Sequence, residues 1–425
     1  MSGGSLERRL GTTDAVVIGL GSMIGAGVFA AFGPAARAAG SGLLIALGLA
    51  AIVAYCNAVA SAQLAAQYPT SGGTYVYGRE RLGEWWGYLA GFGFVVGKTA
   101  SCAAMALTFA AYAVPGPTWA QRLVAVAAVV ALTTANFHGI SRTAALARIL
   151  VAGSIAALLV VVLAIATSGH ASTDRLRGAG VLGHGGVHGL LQAAGLLFFA
   201  FAGYARIATL GEEVREPRRT IPRAIPLALG FVVVLYVAVG CAALTAAGPS
   251  ALAGATTPLA TATRAVDAAW ATPVVRIGAA IASLGALLAL IAGVGRTGLA
   301  MARNGDLPRW LGSVHERYRV PDHAELAVGT VVAVLVLTTD LRGAIGFSSF
   351  GVLAYYAVAN AAAFTQTGAD RRWPRVLNVA GLVGCVVLVA SLPVSAVVAG
   401  SIVLAVGLVG RAAAKAAAQA AAARR

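Results

Sequence analysis

Charge is scarce in this sequence. Of its 425 residues only 11% are Asp, Glu, Lys or Arg, where an ordinary soluble protein carries about 25%. So few charges cannot cover a water-facing surface on a chain that is 59% hydrophobic, with mean hydropathy +0.83. Acid is scarcer still: 15 Asp and Glu stand against 31 Lys and Arg. Cysteine occurs four times, as Cys56, Cys102, Cys241 and Cys385, each inside an apolar run, which argues against a disulfide scaffold. There is no phosphate loop, nucleophile triad or metal-binding motif, so nothing points to ATP use, catalysis, a cofactor or a resident metal. The net charge of +16 does not mark a nucleic-acid binder, because the cations sit in short loops between apolar runs.

Long apolar runs are plentiful. A spanning helix needs about 20 apolar residues. Twelve runs approach that length, at about 14–36, 42–66, 86–113, 119–138, 146–168, 188–211, 224–247, 274–301, 325–340, 343–367, 376–391 and 393–410. The chain therefore reads as an all-α integral membrane protein whose solvent is the lipid bilayer. Its segments are a cytoplasmic N-terminus at 1–13, five spans over 14–168, five over 188–367, two more over 376–410, and an Ala/Arg-rich tail at 411–425. The tail reads as a helical cytoplasmic appendage without chemistry. With the N-terminus in the cytoplasm, 21 cations fall inside, among them Arg8, Arg9, Arg142, Arg319, Arg424 and Arg425, against 6 outside, among them Arg177. That excess predicts a multi-pass protein of the cell's inner (plasma) membrane with both termini inside.

Spans one and six differ from the rest. Span one contains Gly21-Ser22-Met23-Ile24-Gly25-Ala26-Gly27, with three glycines that each weaken a helix by roughly 1 kcal/mol relative to alanine. Span six contains Phe201-Ala202-Gly203-Tyr204-Ala205-Arg206, with a glycine and a cation at membrane depth. Glycine is common in membrane helices for packing alone. Paired interruptions at matching positions of two halves, however, point to a transporter binding site. Such breaks suit a zwitterion: freed N–H groups attract a carboxylate, and freed carbonyls attract an ammonium or a sodium ion.

Four blocks carry a family resemblance. GSMIGAGVF, YPTSGGTYVYGRERLGEWWGYLAG, FFAFAGYARIATLGEEVREPRRTIPRAI and GVGRTGLAMARNGDLPRWLGSVHERYRVPDHA resemble, in order, the first helix, the segment after the second, the sixth helix with its loop, and the eighth helix with its loop of the amino acid–polyamine–organocation transporters, the third most of all their cationic amino acid branch. The resemblance implies a five-plus-five inverted repeat with broken helices one and six, two extra C-terminal helices, and secondary active uptake of amino acids. It further implies that Ile24, Gly25, Ala26 and Gly27 cradle the substrate carboxylate. Phe201, Ala202, Gly203, Tyr204 and Ala205 would accept the amino group on backbone carbonyls, with Phe201 the aromatic nearest the substrate. Two positions depart from the family pattern. Ala205 stands where many members carry an acid, and Ser154 stands where some carry a coupling lysine.

Cations inside a membrane are costly and often functional. Lys98 lies near the middle of span three and Arg206 beside the second break. A lysine in apolar surroundings can give up its proton and an arginine cannot. Proton coupling would thus fall to Lys98, with Arg206 a fixed charge. The plain alternatives are a snorkelling or structural Lys98, and an Arg206 that contacts carbonyls of the break. Sodium would instead use the hydroxyls of Ser154 and Ser283 with carbonyls of span one. Arg206, with no acid at Ala205, favours a neutral over a dibasic substrate. Glu212, Glu213 and Glu216, interleaved with Arg215, Arg218 and Arg219, read either as a solvated loop or as an inner gate. His184 and His188 read as part of a polar external loop rather than a zinc site.

The leading expectation is a proton-coupled amino acid symporter that needs no protein partner and binds no nucleic acid. A polyamine or other amine permease, or an amino acid exchanger, is the alternative. A polyamine would want acids in the pocket, and none stands out. A channel would need a continuous polar path, and a sensor a soluble domain.

Overall fold

A computed structural model describes residues 10–70, 72–138, 144–176, 185–318 and 320–423. Arg8, Arg9, Arg142, Arg177, His184, Arg319, Arg424 and Arg425 lie outside the described residues. Within them the chain is helical, apart from an isolated bridge between Leu10 and Val214. Span one is made of α1 (Thr12–Met23), α2 (Ala26–Ala30) and α3 (Phe32–Ala39), and span two of α4 (Leu43–Gln67). A short helix α5 (Thr74–Leu82) leads to α6 (Glu84–Ala113), α7 (Thr118–Phe137) and α8 (Ala144–Thr167), which are spans three to five. Span six is α9 (Gly186–Phe201), a 3₁₀ turn (Ala202–Tyr204) and α10 (Ala205–Ala208). Then come α11 (Pro217–Gly254), the short α12 (Pro258–Arg264), α13 (Thr272–Arg303), α14 (Asp322–Thr338), α15 (Leu341–Phe364), α16 (Arg375–Ser391) and α17 (Val394–Ala423).

Among the described residues, ten helical stretches have the length and hydropathy to cross a bilayer. The helices α14 and α16 have 17 residues each, a rise of about 26 Å, and with them the expected twelve are present. Large apolar side chains point outward: Val394 is 77% exposed and Val234 71%. Water would penalise that surface, whereas lipid tails match it. The fold is thus that of a multi-pass membrane protein.

Local chemistry sets the helix ends. Gly83 has φ 102°, a value glycine holds without strain, and Glu84 then opens α6 with its charge on the N-terminal dipole. The carboxylate of Asp340 caps α15, accepting from the N–H of Gly343 at 2.7 Å. Span seven, expected at 224–247, starts earlier because Pro217 fits the first turn of α11, and it kinks at Gly248, where φ is 72°. Within the bundle α6 packs along α13 and α15, and α4 along α9 and α11. Small residues allow the close crossings: a Cβ on Gly97 would lie 3.1 Å from the Cα of Gly351, and the hydroxyls of Ser101 and Ser348 are 2.6 Å apart.

The C-terminal helix is tied down. α17 runs without a break past residue 410, and the buried guanidinium of Arg411 meets buried Asp306 at 2.7 Å. Asp306 also takes Arg79 at 2.8 Å and the hydroxyl of Tyr75 at 2.7 Å. Burial first, and then this bond to Asp306, push the Tyr75 hydroxyl up to about 12. The guanidinium of Arg411 lies 4.5 Å from the ring centre of Trp85 and 4.8 Å from that of Tyr88. Lys415 pairs with Glu84. Two cations of the tail therefore fasten it to the start of α6 and the end of α13.

Candidate functional site

The three-glycine motif interrupts span one where expected. α1 ends at Met23, Ile24 leaves the helical region at ψ 80°, and Gly25 sits at φ −135°, ψ −143°. The helix restarts at Ala26 and continues through Ala31, which keeps helical angles. Span six is interrupted more mildly. It tightens into a 3₁₀ turn over Ala202–Tyr204 and resumes at Ala205, with Phe201, Tyr204 and Ala205 all near helical angles. One glycine relaxes the helix there, where three open it fully.

The two interruptions meet. A Cβ on Gly203 would lie 2.5 Å from the backbone nitrogen of Met23 and would overlap the carbonyl of Ser22. A Cβ on Gly27 would lie 2.5 Å from the Cα of Ala200. Glycine at both positions is what lets the backbones touch. Tyr236 of α11 joins them: its hydroxyl lies 2.7 Å from the carbonyl oxygen of Met23 and 3.2 Å from that of Ala200. Its ring packs 5.3 Å from Phe201. Sequence reasoning passed over Tyr236, because nothing in an apolar helix marks which tyrosine faces a distant break.

A cavity of about 560 Å³ leads from the break to the surface. Its walls are α1 from Leu10 to Ile24, α8 at Val151 and Ser154, the end of span six at Arg206 and Glu213, and α13 from Ile281 to Arg296. Along α13 that stretch covers about 22 Å at 1.5 Å per residue. The deep end is therefore at Ile24 and Ala282, and the mouth is on the Leu10 side. Asn136, Tyr318, Val320 and Glu325 complete the lining, and the sequence marks none of them as a site residue. Glu325 is buried, with one carboxylate oxygen lacking a hydrogen-bond partner.

The structure distributes the expected site residues unevenly. Ile24, Ser154 and Arg206 line the cavity, whereas Gly25, Ala26, Gly27 and the run Phe201–Ala205 lie behind its wall. Phe201 is fully buried against Tyr236. The hydroxyl of Ser154 donates to the carbonyl of Leu150 at 2.8 Å, and that of Ser283 is buried without a partner. Arg206 does face the cavity. It is not an isolated charge, since Glu213 stands 3.9 Å from its Nη2 and Thr209 accepts from its Nη1 at 3.1 Å. Of the acidic cluster after span six, Glu213 reaches the cavity, while the pair Glu216–Arg219 is exposed at 3.6 Å.

Lys98 is outside the cavity lining. It is buried, and its ammonium donates to the carbonyl of Ala202 at 3.1 Å. The hydroxyl of Tyr356 reaches the same carbonyl at 3.4 Å. The second break is thus held by a charge from span three and a hydroxyl from span ten.

Comparison with known proteins agrees with this architecture. A model of the amino acid permease family matches residues 10–414. A protein of Mycobacterium tuberculosis named as an uncharacterized transporter is 62% identical over 95% of this chain and 90% of its own length. The branched-chain amino acid permease BcaP of Bacillus subtilis is 28% identical, covering 89% of this chain and 85% of its own. The chloroplastic cationic amino acid transporter 7 of Arabidopsis thaliana is also 28% identical, over 88% and 68%. The family is one of transporters rather than enzymes. With interrupted first and sixth spans at the head of a cavity and a family match over nearly its whole length, the chain belongs to the amino acid permease family of the amino acid–polyamine–organocation superfamily.

Proposed function

We propose that the protein takes up amino acids across the cytoplasmic membrane by alternating access, coupled to protons. The observation that carries this reading is the crossing of two interrupted spans at the head of a cavity open to one side. In this reading residues 14–168 and 188–367 are inverted five-helix repeats, and α16 and α17 are additions. The Leu10 side faces the cytoplasm, as the cation excess argues, so the cavity is an inward-open vestibule.

The backbone of Ile24–Gly27 presents itself to the substrate carboxylate, and the carbonyls of Phe201–Ala205 present themselves to the amino group. The segments behind the vestibule wall come into reach as the bundle rocks between its two open states. Lys98 is the coupling residue. While protonated it holds the carbonyl of Ala202, and on losing its proton it keeps a weaker grip, so its charge biases the shape of the span-six turn.

The substrate is a neutral amino acid. The lining carries Arg206 and Arg296 against Glu213 and Glu325, so it exerts no net pull on a cationic side chain. The names of the relatives divide between branched-chain and cationic amino acids, and this charge balance favours the neutral kind. Purified protein in liposomes tests the reading: labelled leucine or alanine enters faster than into protein-free vesicles. Equal entry with and without protein, across a panel of labelled amino acids, would overturn it.

A further inference from the structure

A buried lysine that exchanges protons needs a route to water, and Lys98 does not border the vestibule. A second polar tract begins at its partner. From Ala202 the hydrogen bonds pass to the hydroxyl of Tyr356. One turn along α15, the Nδ2 of Asn360 lies 2.9 Å from the carbonyl of Tyr356 and 2.6 Å from Oδ1 of Asn57 on α4. Towards the Leu10 side, Gln366 donates to the carbonyl of Gln63 at 3.4 Å and to Oε1 of Gln67 at 2.8 Å. Gln67 then donates to the carboxylate of Asp370 at 2.9 Å, at the exposed end of the column.

The pairs Asn57–Asn360, Gln63–Gln366 and Gln67–Asp370 are each 303 residues apart. A constant offset means that α4 runs parallel to α15 and the stretch that follows it, with their polar residues in register. Gly381 of α16 leaves the room that Asn360 occupies, because a Cβ there would strike the amide. This polar column is separate from the vestibule: none of its side chains lines that cavity.

The column is also under-bonded. Asn57 Nδ2, Ser61 Oγ, Asn360 Oδ1, Gln366 Oε1 and both side-chain atoms of Asn378 are buried without a protein partner. Isolated orphans of this kind are rare, and a buried polar group that the protein leaves unpaired is normally bonded to water. Here six such atoms sit on α4, on α15 and the stretch that follows it, and on α16.

We propose that spans two, ten and eleven hold a file of bound water that carries protons between Lys98 and the cytoplasm. The inference rests on the proton-coupled reading above and names the path for it. In the releasing step an N–H bond of the Lys98 ammonium breaks, its electron pair stays on nitrogen, and the proton forms an O–H bond on the first water. Successive waters pass the excess proton on, and it leaves at Asp370. No other bond changes. The groups around Lys98 do not compete for this proton: Cys102 lies one turn along its own helix, Ser101 pairs with Ser348, Tyr356 faces it from α15, and span six offers a carbonyl.

Two measurements test this. Hydroxyl-radical labelling by X-ray radiolysis, read by mass spectrometry on the full-length protein in lipid, reports water next to a side chain. Cys385 is fully buried and lies 3.4 Å from Oδ1 of Asn57, while Met301 is equally buried against Tyr75 and Tyr88. Cys385 is expected to oxidise at least tenfold faster than Met301. Equal protection of the two would overturn the water file.

The second measurement is transport by Asn360→Leu, with Ser61→Ala as the milder variant that keeps the fold. Both are expected to lose accumulation driven by a pH gradient while keeping counterflow exchange, Asn360→Leu almost completely. Full pH-driven accumulation in both would overturn the conducting role. If wild-type protein itself accumulates substrate on sodium alone, the proton-coupled reading fails and the conducting role with it. Intact proton-driven uptake with a protected Cys385 removes the water file alone.

Discussion

The ammonium of Lys98 lies 3.1 Å from the carbonyl oxygen of Ala202, the first residue of the turn that interrupts span six. A helix broken at this depth leaves carbonyls that need a donor, and a lysine from span three supplies one. The same bond connects a titratable group to the segment proposed to hold the substrate's amino group.

Lys98→Met keeps the length and apolar packing of the side chain and removes its proton. The variant is expected to lose uphill accumulation along an imposed pH gradient, while counterflow exchange, which needs no net proton movement, continues. Liposome assays of both modes check this. Accumulation at the wild-type level would make Lys98 a structural donor only.

The breaks themselves are testable by bulk. Gly25 has little room, since a Cβ there would lie 3.0 Å from Ala286 and 3.4 Å from Met105. Gly25→Leu is expected to abolish uptake while the protein still inserts and purifies. Gly203→Ala, forced against Ser22 and Met23, is expected to lower both uptake and melting temperature. Wild-type transport by Gly25→Leu would remove the substrate from span one.

Much of this was legible in the sequence, and for identifiable reasons. Apolar run length placed the spans, and clustered glycines located the break at Gly25. The turn at Gly203 was found as well, but its mild 3₁₀ form was not, because a single glycine does not say how far a helix opens. The sequence sets no acid beside Arg206 at Ala205. Glu213, seven residues on, reads as part of the following loop, and only the fold brings the two to 3.9 Å. The tail at 411–425 looked inert because its composition is that of a simple helix former. Its role depends on Asp306, more than a hundred residues away in the chain. Long-range pairs of this kind leave no periodic signal.

Substrate charge gives another prediction. Two like charges about 6 Å apart repel by roughly 3 kcal/mol at an effective dielectric near 20. Glu213 beside Arg206, and Glu325 with Arg296, offset that repulsion in the lining, which leaves a cationic side chain with no net attraction. Leucine or alanine is therefore expected to compete at least as well as lysine and arginine. The reverse order in a competition assay would assign the chain to cationic substrates.

The tail predicts a stability effect. Breaking a buried ion pair by removing one partner costs about 3 kcal/mol or more. Arg411→Ala leaves Asp306 with Arg79 and Tyr75, so the loss falls below that of a fully stranded charge, and the variant is expected to melt a few degrees below wild type in detergent. The double variant Arg411→Met with Asp306→Asn is expected to recover part of that loss, because neither charge is then left buried. An unchanged melting temperature for Arg411→Ala would mean that the contact contributes nothing.

The central claim is amino acid uptake driven by protons across a site built on two broken spans. Its most direct test loads purified protein into liposomes and imposes a pH gradient, then a sodium gradient, each alone, while labelled leucine is followed. The account predicts accumulation above equilibrium with the pH gradient, acid outside, and none with sodium alone. Accumulation on sodium alone would contradict it and turn attention to Ser154 and Ser283.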